Sequence, residues 1–164
     1  MKRTTCSGCG CADLEQFLDL GASPIADAYT GSAGEVSQTY PLQVAVCPKC
    51  RLVQLLEVVD HDILFGTGYS FYSSASPPLS AYHERYALDV IDRHRDLARR
   101  GVVEVGCNDG NLLRHFAGFP ALGVDPATRP ATQAQAQGLE VLVRAFGLAA
   151  ADDTGKHGRT GKKR

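Results

Sequence analysis

Two short cysteine pairs set the tightest limit on what this chain can fold into. Cys6-Ser-Gly-Cys9 and Cys47-Pro-Lys-Cys50 are both C-x2-C, and 37 residues separate them. A C-x2-C turn directs two thiolates to one side of a tight knuckle, and two such knuckles complete a tetrahedron around zinc. Gly8, Gly10 and Pro48 suit the turns this needs. The start of the chain, Met1-Lys2-Arg3-Thr4-Thr5, has no apolar stretch behind it and does not read as a secretory signal. A disulfide framework is therefore disfavoured, and the cytoplasm is the expected compartment. Four protein ligands leave zinc no open position, so the expected site is structural. Cys11, two residues beyond Cys9, reads as a spare thiol.

The length, 164 residues, suits one ordinary domain or two small ones sharing a core. Hydrophobic residues make up 44% and charged residues 21%, values of a globular chain. No apolar run approaches the ~20 residues of a membrane helix, so no membrane partner is expected. The net charge of −1 divides unevenly: the part after Ala151 carries +3 and the part before it −4. An acidic body offers no general footprint for nucleic acid, and the basic end reads as a solvated, disordered tail over residues 148–164.

Between the cysteine pairs, residues 21–34 are rich in Gly, Ala and Ser and read as loop with at most one short strand. Leu42, Val44 and Val46 alternate with Gln43 and Ala45, the period of a strand entering the second knuckle. Residues 52–56 leave that knuckle as its partner, giving a zinc-ribbon-like domain over residues 1–60. Residues 61–100 form an aromatic linker and a helix. Phe65, Tyr69, Phe71 and Tyr72 precede Ser73, Ser74 and Ser76, a cluster suited either to lining a pocket or to plugging the space between two domains. Ser76-Pro77-Pro78 is a helix start, with a hydroxyl cap and proline in the first turn. Helical spacing of Tyr82, Tyr86, Val90 and of Ala87, Ile91, Ala98 continues to about Arg99.

From Gly101 the pattern turns α/β over residues 101–147. Residues 102–106 read as a buried strand, 111–117 as a brief helix and 121–125 as a second strand. An Ala- and Gln-rich helix interrupted early by Pro130 follows, then a third strand over 139–143. Strand–helix–strand–helix–strand at this spacing implies a parallel, Rossmann-like half-sheet. In Glu104-Val-Gly106-Cys-Asn108-Asp109-Gly110 the glycines let backbone approach a ligand at the end of the first strand, and Asp125 closes the second. The third glycine of a dinucleotide fingerprint is missing, and Asp109 would repel a pyrophosphate. A sulfonium cofactor with a free amino group suits these carboxylates, which favours S-adenosylmethionine over NAD.

The ordered set Cys6-x2-Cys9, Leu18-Asp-Leu-Gly21-x2-Pro24, Tyr40-Pro-Leu42, Cys47-x2-Cys50, Leu52-Val-Gln54-Leu55, Tyr69-x2-Tyr72-Ser-Ser74 and Glu104-x-Gly106-x-Asn108-Asp109-Gly110 resembles one family. These are the sugar C-methyltransferases with an amino-terminal zinc-binding domain, class I enzymes that methylate a carbon of a nucleotide-linked keto-deoxysugar. The resemblance spans about residues 6–146. It implies zinc on Cys6, Cys9, Cys47 and Cys50. It places the methionine part of S-adenosylmethionine on Glu104, Gly106, Asn108, Asp109 and Gly110, and the ribose on Asp125, with Pro126 shaping the turn. Tyr69, Tyr72 and Ser74 would reach over cofactor and sugar. The implied chemistry begins with removal of a proton alpha to a ketone, for which Tyr72 and His83 are the candidate bases.

Family members continue well beyond the third strand, with further strands and a histidine-containing motif. The pattern here is lost after about Phe146, so the chain reads as a truncated form, inactive alone and expected to associate with the missing carboxyl-terminal half. Without a fourth strand the first would present an apolar edge, and marginal stability is expected. The alternative is a zinc-ribbon binding module for protein or nucleic acid.

Overall fold

The computed structural model describes residues 1–66, 68–148 and 150, so most of the expected tail lies outside the described residues. Two compact units result, Met1–Leu64 and a second beginning at Phe65. No helix among the described residues is long and apolar enough to cross a membrane.

The first unit is an antiparallel sheet of β1 (Glu15–Pro24), β2 (Thr39–Val46) and β3 (Val53–Leu55), in that spatial order. The β2–β3 pairing follows from the alternation around the second cysteine pair, with Val44 opposite Leu55 and Val46 opposite Val53. Ala45 and Cys47 are buried, whereas Leu18, Val53 and Leu55 stay exposed. β1 is a correction to the sequence reading, which placed loop across its second half. Its register shifts between Gln16 and Leu18 and again between Asp19 and Ala22, so the strand period is broken twice. Nine of its ten residues are exposed, which removes the burial signal as well. A short helix, α1 (His61–Phe65), follows, its Asp62 N–H bonded to the Asp60 carboxylate at 2.8 Å.

Both cysteine pairs are set by the same backbone pattern. The Cys6 N–H donates to the Cys11 carbonyl and the Gly10 N–H to the Cys6 carbonyl, at 2.8 and 2.9 Å. The Cys47 N–H donates to the Leu52 carbonyl and the Arg51 N–H to the Cys47 carbonyl, both at 2.9 Å. Gly10 and Arg51 occupy the same left-handed position in the two turns, with φ of 72° and 65°. Glycine takes that conformation without strain, and arginine does not.

The second unit carries α2 (Pro77–Ala98), β4 (Val102–Val105), β5 (Ala121–Asp125), α3 (Thr128–Ala136) and β6 (Val141–Val143). The sheet is parallel, in the order β4-β5-β6. Together the two sheets give an α/β chain whose second part is a partial Rossmann-like layer. Ser76 caps α2 by accepting the Leu79 N–H, and the helix kinks at His94. Ala87 and Ile91 pack on Phe116, as the spacing predicts. Tyr82 and Tyr86 instead stack on each other and remain exposed, so of the other stripe Val90 alone packs against that cluster. Within the expected brief helix over 111–117, residues 113–116 form a 3-10 helix. Pro130 does not interrupt α3, because it sits in the first turn, where no N–H is required.

β4 differs from the expected buried strand. Among the described residues it pairs only with β5, and Val103 and Val105 are 48% and 56% exposed. One core cluster is formed by Cys107, Leu113, Ala131, Ala134 and Val141, and β4 reaches the other, around Ala87, Ile91 and Phe116, through Val102. A Cβ at Gly123 would stand 2.5 Å from Cys107 Sγ, so that close approach requires glycine.

Replacing Arg51 with glycine is expected to raise stability by about 0.5 kcal/mol, since relief of left-handed strain exceeds the added chain entropy. Urea unfolding of the zinc-loaded chain checks it, with Arg51→Ala expected to give no gain.

Candidate functional site

Two sites emerge, one in each unit. In the first, the knuckles bring Cys6, Cys9, Cys47 and Cys50 together, with all four Sγ atoms within 4.8 Å of one another. Cys6 and Cys50 Sγ are 3.5 Å apart, and Cys9 and Cys47 Sγ are 3.6 Å apart. Four thiolates about 2.3 Å from one zinc ion stand roughly 3.8 Å apart, so the cluster fits the metal with little adjustment. Cys11 is outside the cluster and contributes its carbonyl to the first knuckle.

The thiols are electrostatically unequal. The backbone amide of Cys9, against the opposing effect of burial and with help from Gly8, Cys50 and Gln54, holds Cys6 down at about 6. At Cys9 the Cys11 amide pulls downward, but burial and the sulfurs of Cys50, Cys47 and Cys6 outweigh it, and the thiol is pushed up to about 12. Cys47 is lowered, first by the Cys50 amide. At Cys50 the Leu52 amide pulls downward, but the sulfurs of Cys6 and Cys47 together with burial leave the thiol raised. Sulfurs this close cannot all ionise without a cation among them, and a divalent metal removes that conflict. The cluster therefore fits a zinc ion, which four protein ligands would leave with no open position.

The second site lies at the carboxyl ends of β4 and β5. Glu104 is on β4, and Gly106, Asn108, Asp109 and Gly110 form the turn after it. Asp125 ends β5 and Pro126 follows it. Asn108 is left-handed, with φ of 52°, and its N–H donates to Asp125 Oδ2 at 2.7 Å. The Ala127 N–H donates to Asp125 Oδ1, also at 2.7 Å. Asp125 thus joins the ends of two strands.

Asp109 has a different occupation. It is fully buried, and its carboxylate accepts the Ser73 hydroxyl at 2.6 Å and the Ser74 N–H at 3.2 Å. Burial alone would raise its pKa, but these donors overcome that and hold it below the ordinary carboxylate value. Asn108 reinforces the tie by accepting the Ser73 N–H and donating to the Phe71 carbonyl, at 2.9 and 3.1 Å. Asn111 donates to the Ser73 carbonyl at 3.2 Å. The segment Phe71–Ser74 is therefore latched to the turn after β4. Ser74 meets the turn through its backbone, Tyr72 lends its carbonyl to the 3-10 turn at Ala75, and Tyr69 packs edge-on to Phe65. Ser73 and Asn111 carry much of this latch and were not among the expected site residues. A Tyr-Ser-Ser run facing an Asn-Asp-Gly-Asn turn was the available signal.

Glu104 is the acid left over. Its Oε2 is buried with no hydrogen-bond partner among the described residues. Burial, with Asp125 and Asp109 nearby, pushes its pKa up to about 7, against a backbone bond from Leu113. At Gly106, two residues on, φ is 76° and a Cβ would meet nothing within 4 Å. His83, on α2, is half-buried with its Nδ1 unpartnered among the described residues. Burial first, then His115 and Arg114, lower its pKa, so it is neutral at pH 7.

A family model described as "Putative zinc binding domain" matches residues 6–65. Over 146 residues the chain is 32% identical to a protein of Streptomyces niveus named C-methyltransferase NovU. That match covers 86% of this chain and 34% of the relative, so the chain spans about a third of the relative's length. The chain is thus similar to a zinc-binding domain over residues 6–65 and, over most of its own length, to part of a C-methyltransferase. The expected resemblance and the expected zinc-binding amino-terminal domain are both supported on this ground.

Substituting Ser73 with alanine leaves Asp109 short of a donor in a buried setting, and a loss of about 1.5–3 kcal/mol is expected in urea unfolding. Because the folded carboxyl titrates below its ordinary value of 3.8, its contribution is present above that value and lost as pH falls through the lowered one. Hydrogen exchange at the Ser73 and Ser74 amides should accelerate in the same variant.

Proposed function

We propose that this chain provides the zinc domain and part of the S-adenosylmethionine site of a C-methyltransferase acting on a nucleotide-linked keto-deoxysugar in the cytoplasm. The observation that carries the reading is the buried Glu104 Oε2, without a donor among the described residues and on a parallel strand that leads into the Gly106–Gly110 turn. A buried carboxylate oxygen without a donor favours a ligand that brings cationic or hydrogen-bonding groups. The amino group of a methionine-type cofactor suits it, and the nearby Asp125 and Asp109 give the site a field that attracts a sulfonium and repels phosphate. The bound cofactor would supply an electrophilic methyl group.

Within this reading Glu104 binds the amino group, the Gly106–Gly110 turn lets backbone approach the ligand, and Asp125 meets the ribose through lone pairs that Asn108 and Ala127 leave available. Asp109 serves differently from the sequence expectation: its two oxygens hold the Phe71–Ser74 segment in place, so it acts on the ligand through that segment. Tyr69, Tyr72 and Ser74 would then line the approach. Proton removal alpha to a ketone requires an unprotonated base: the neutral imidazole that burial favours at His83, with Tyr72 as phenolate the other candidate. Turnover is assigned to this chain together with further polypeptide, for which the open edge of β4 offers a pairing surface.

Calorimetric titration of S-adenosylmethionine into the zinc-loaded chain tests the reading. Saturable binding is expected, about tenfold or more weaker in Asp125→Ala. Glu104 must be ionised to hold a cation, so affinity should fall as pH drops from 7 to 5.5, by up to about tenfold per unit. Glu104→Gln should bind weakly with a flat pH profile. In the free chain the same raised pKa works in the opposite sense. It stabilises the fold below the ordinary value of 4.5, and the stabilisation is lost as pH rises through about 7. Absence of binding in a folded, zinc-containing sample would overturn the proposal.

A further inference from the structure

The first cysteine knuckle is joined to the second by one side chain outside the ligand set. Gln54 lies on β3, which leaves the second knuckle, and its partner on β2 is the buried Ala45. Its Oε1 meets two groups of Ser7, the N–H at 3.0 Å and the hydroxyl at 2.9 Å. Ser7 sits between Cys6 and Cys9 in the first knuckle. A backbone N–H can only donate, so the amide atom facing Ser7 must be oxygen, and the orientation of the amide is fixed without ambiguity. The NH2 group then faces the other way. It is buried with no hydrogen-bond partner of ordinary geometry among the described residues. Ser7 directly follows Cys6, so the clamp sets this amide against the residue next to that thiol.

We propose that Gln54 is a positioning residue of the zinc site, its carbonyl clamping Ser7 and its NH2 donating to the metal-bound Cys6 thiolate. The unpartnered donor and a sulfur that becomes fully anionic on metal binding answer each other. Side chains that hydrogen-bond to metal ligands orient them and adjust their charge donation, and their loss costs ~10–100-fold in metal affinity. The proposal rests on zinc binding by the four cysteines and is independent of the cofactor and substrate.

The test compares the full chain with Gln54→Glu and Ser7→Ala, measuring zinc affinity by competition with a chromophoric chelator and recording cobalt(II)-substituted spectra. Gln54→Glu keeps the size and the acceptor for Ser7 but turns a second oxygen toward the thiolate. It should bind zinc ~10–100-fold more weakly and shift the sulfur-to-cobalt charge-transfer band, a change that a merely structural role would not produce. Ser7→Ala removes one anchor of the amide, and an intermediate loss of affinity is expected. Zinc affinity within twofold of the parent in both variants, with unchanged cobalt spectra, would overturn the role of Gln54. A parent chain that holds no zinc would overturn the metal site itself, and with it the proposal. Should Gln54→Glu fail to fold, Ser7→Ala and its cobalt band still decide the matter.

Discussion

Four sulfurs within 4.8 Å of one another are the constraint on which the amino-terminal unit depends. The sheet above them is a poor core by itself: β3 has three residues, β1 is bulged and exposed, and the buried apolar side chains are few. A zinc ion held there would supply what the small sheet lacks, because a site closed by four protein ligands contributes its binding energy directly to folding. The shared backbone pattern of the knuckles shows how the chain meets this demand. Each first cysteine receives an N–H on its carbonyl and donates its own N–H five residues onward. The thiolates are thereby aimed before the metal arrives, and their uneven acidities mark a cluster whose charge only a cation can balance.

The second unit is organised by a buried polar tie. Asp109, Asn108 and Asn111 together take five hydrogen bonds to the segment Phe71–Ser74. A half-satisfied network of this kind would destabilise the fold, whereas a satisfied one fixes a single geometry. The aromatic run thereby acquires a defined path without needing its rings to be buried. Phe71 remains substantially exposed, yet its carbonyl is held.

Much of this was legible in the sequence. The C-x2-C spacing located the zinc cluster, and the alternation around Val44 located the β2–β3 pair. The Ser76-Pro77-Pro78 cap located α2, and Glu104 to Asp125 located the turn of the parallel sheet. Local chemistry writes each of these into a few neighbouring residues. What stayed hidden depends on contacts distant in sequence. The exposed, twice-bulged β1 has neither period nor burial to reveal it. The exposure of β4 depends on which strands flank it. The burial of Ala87 rather than Tyr86 depends on where Phe116 lies. Asp109 read as a ligand residue because composition cannot tell an acid facing a cavity from one facing Ser73, 36 positions away.

The three acids of the parallel sheet divide their work by the supply of donors. Asp125 takes two backbone N–H groups and joins the ends of β4 and β5. Asp109 takes Ser73 and Ser74 and remains ionised although buried. Glu104 is buried and close to both acids, and its Oε2 has no donor among the described residues, so its pKa is pushed up to about 7. Like charges gathered at one end of a sheet normally favour dispersal, and at Asp125 and Asp109 local hydrogen-bond donors offset that cost. The third cannot be relieved from within the described structure. A ligand bringing positive charge to Glu104 would remove the last electrostatic conflict in the unit, so cofactor binding and stability should be coupled through this one carboxyl.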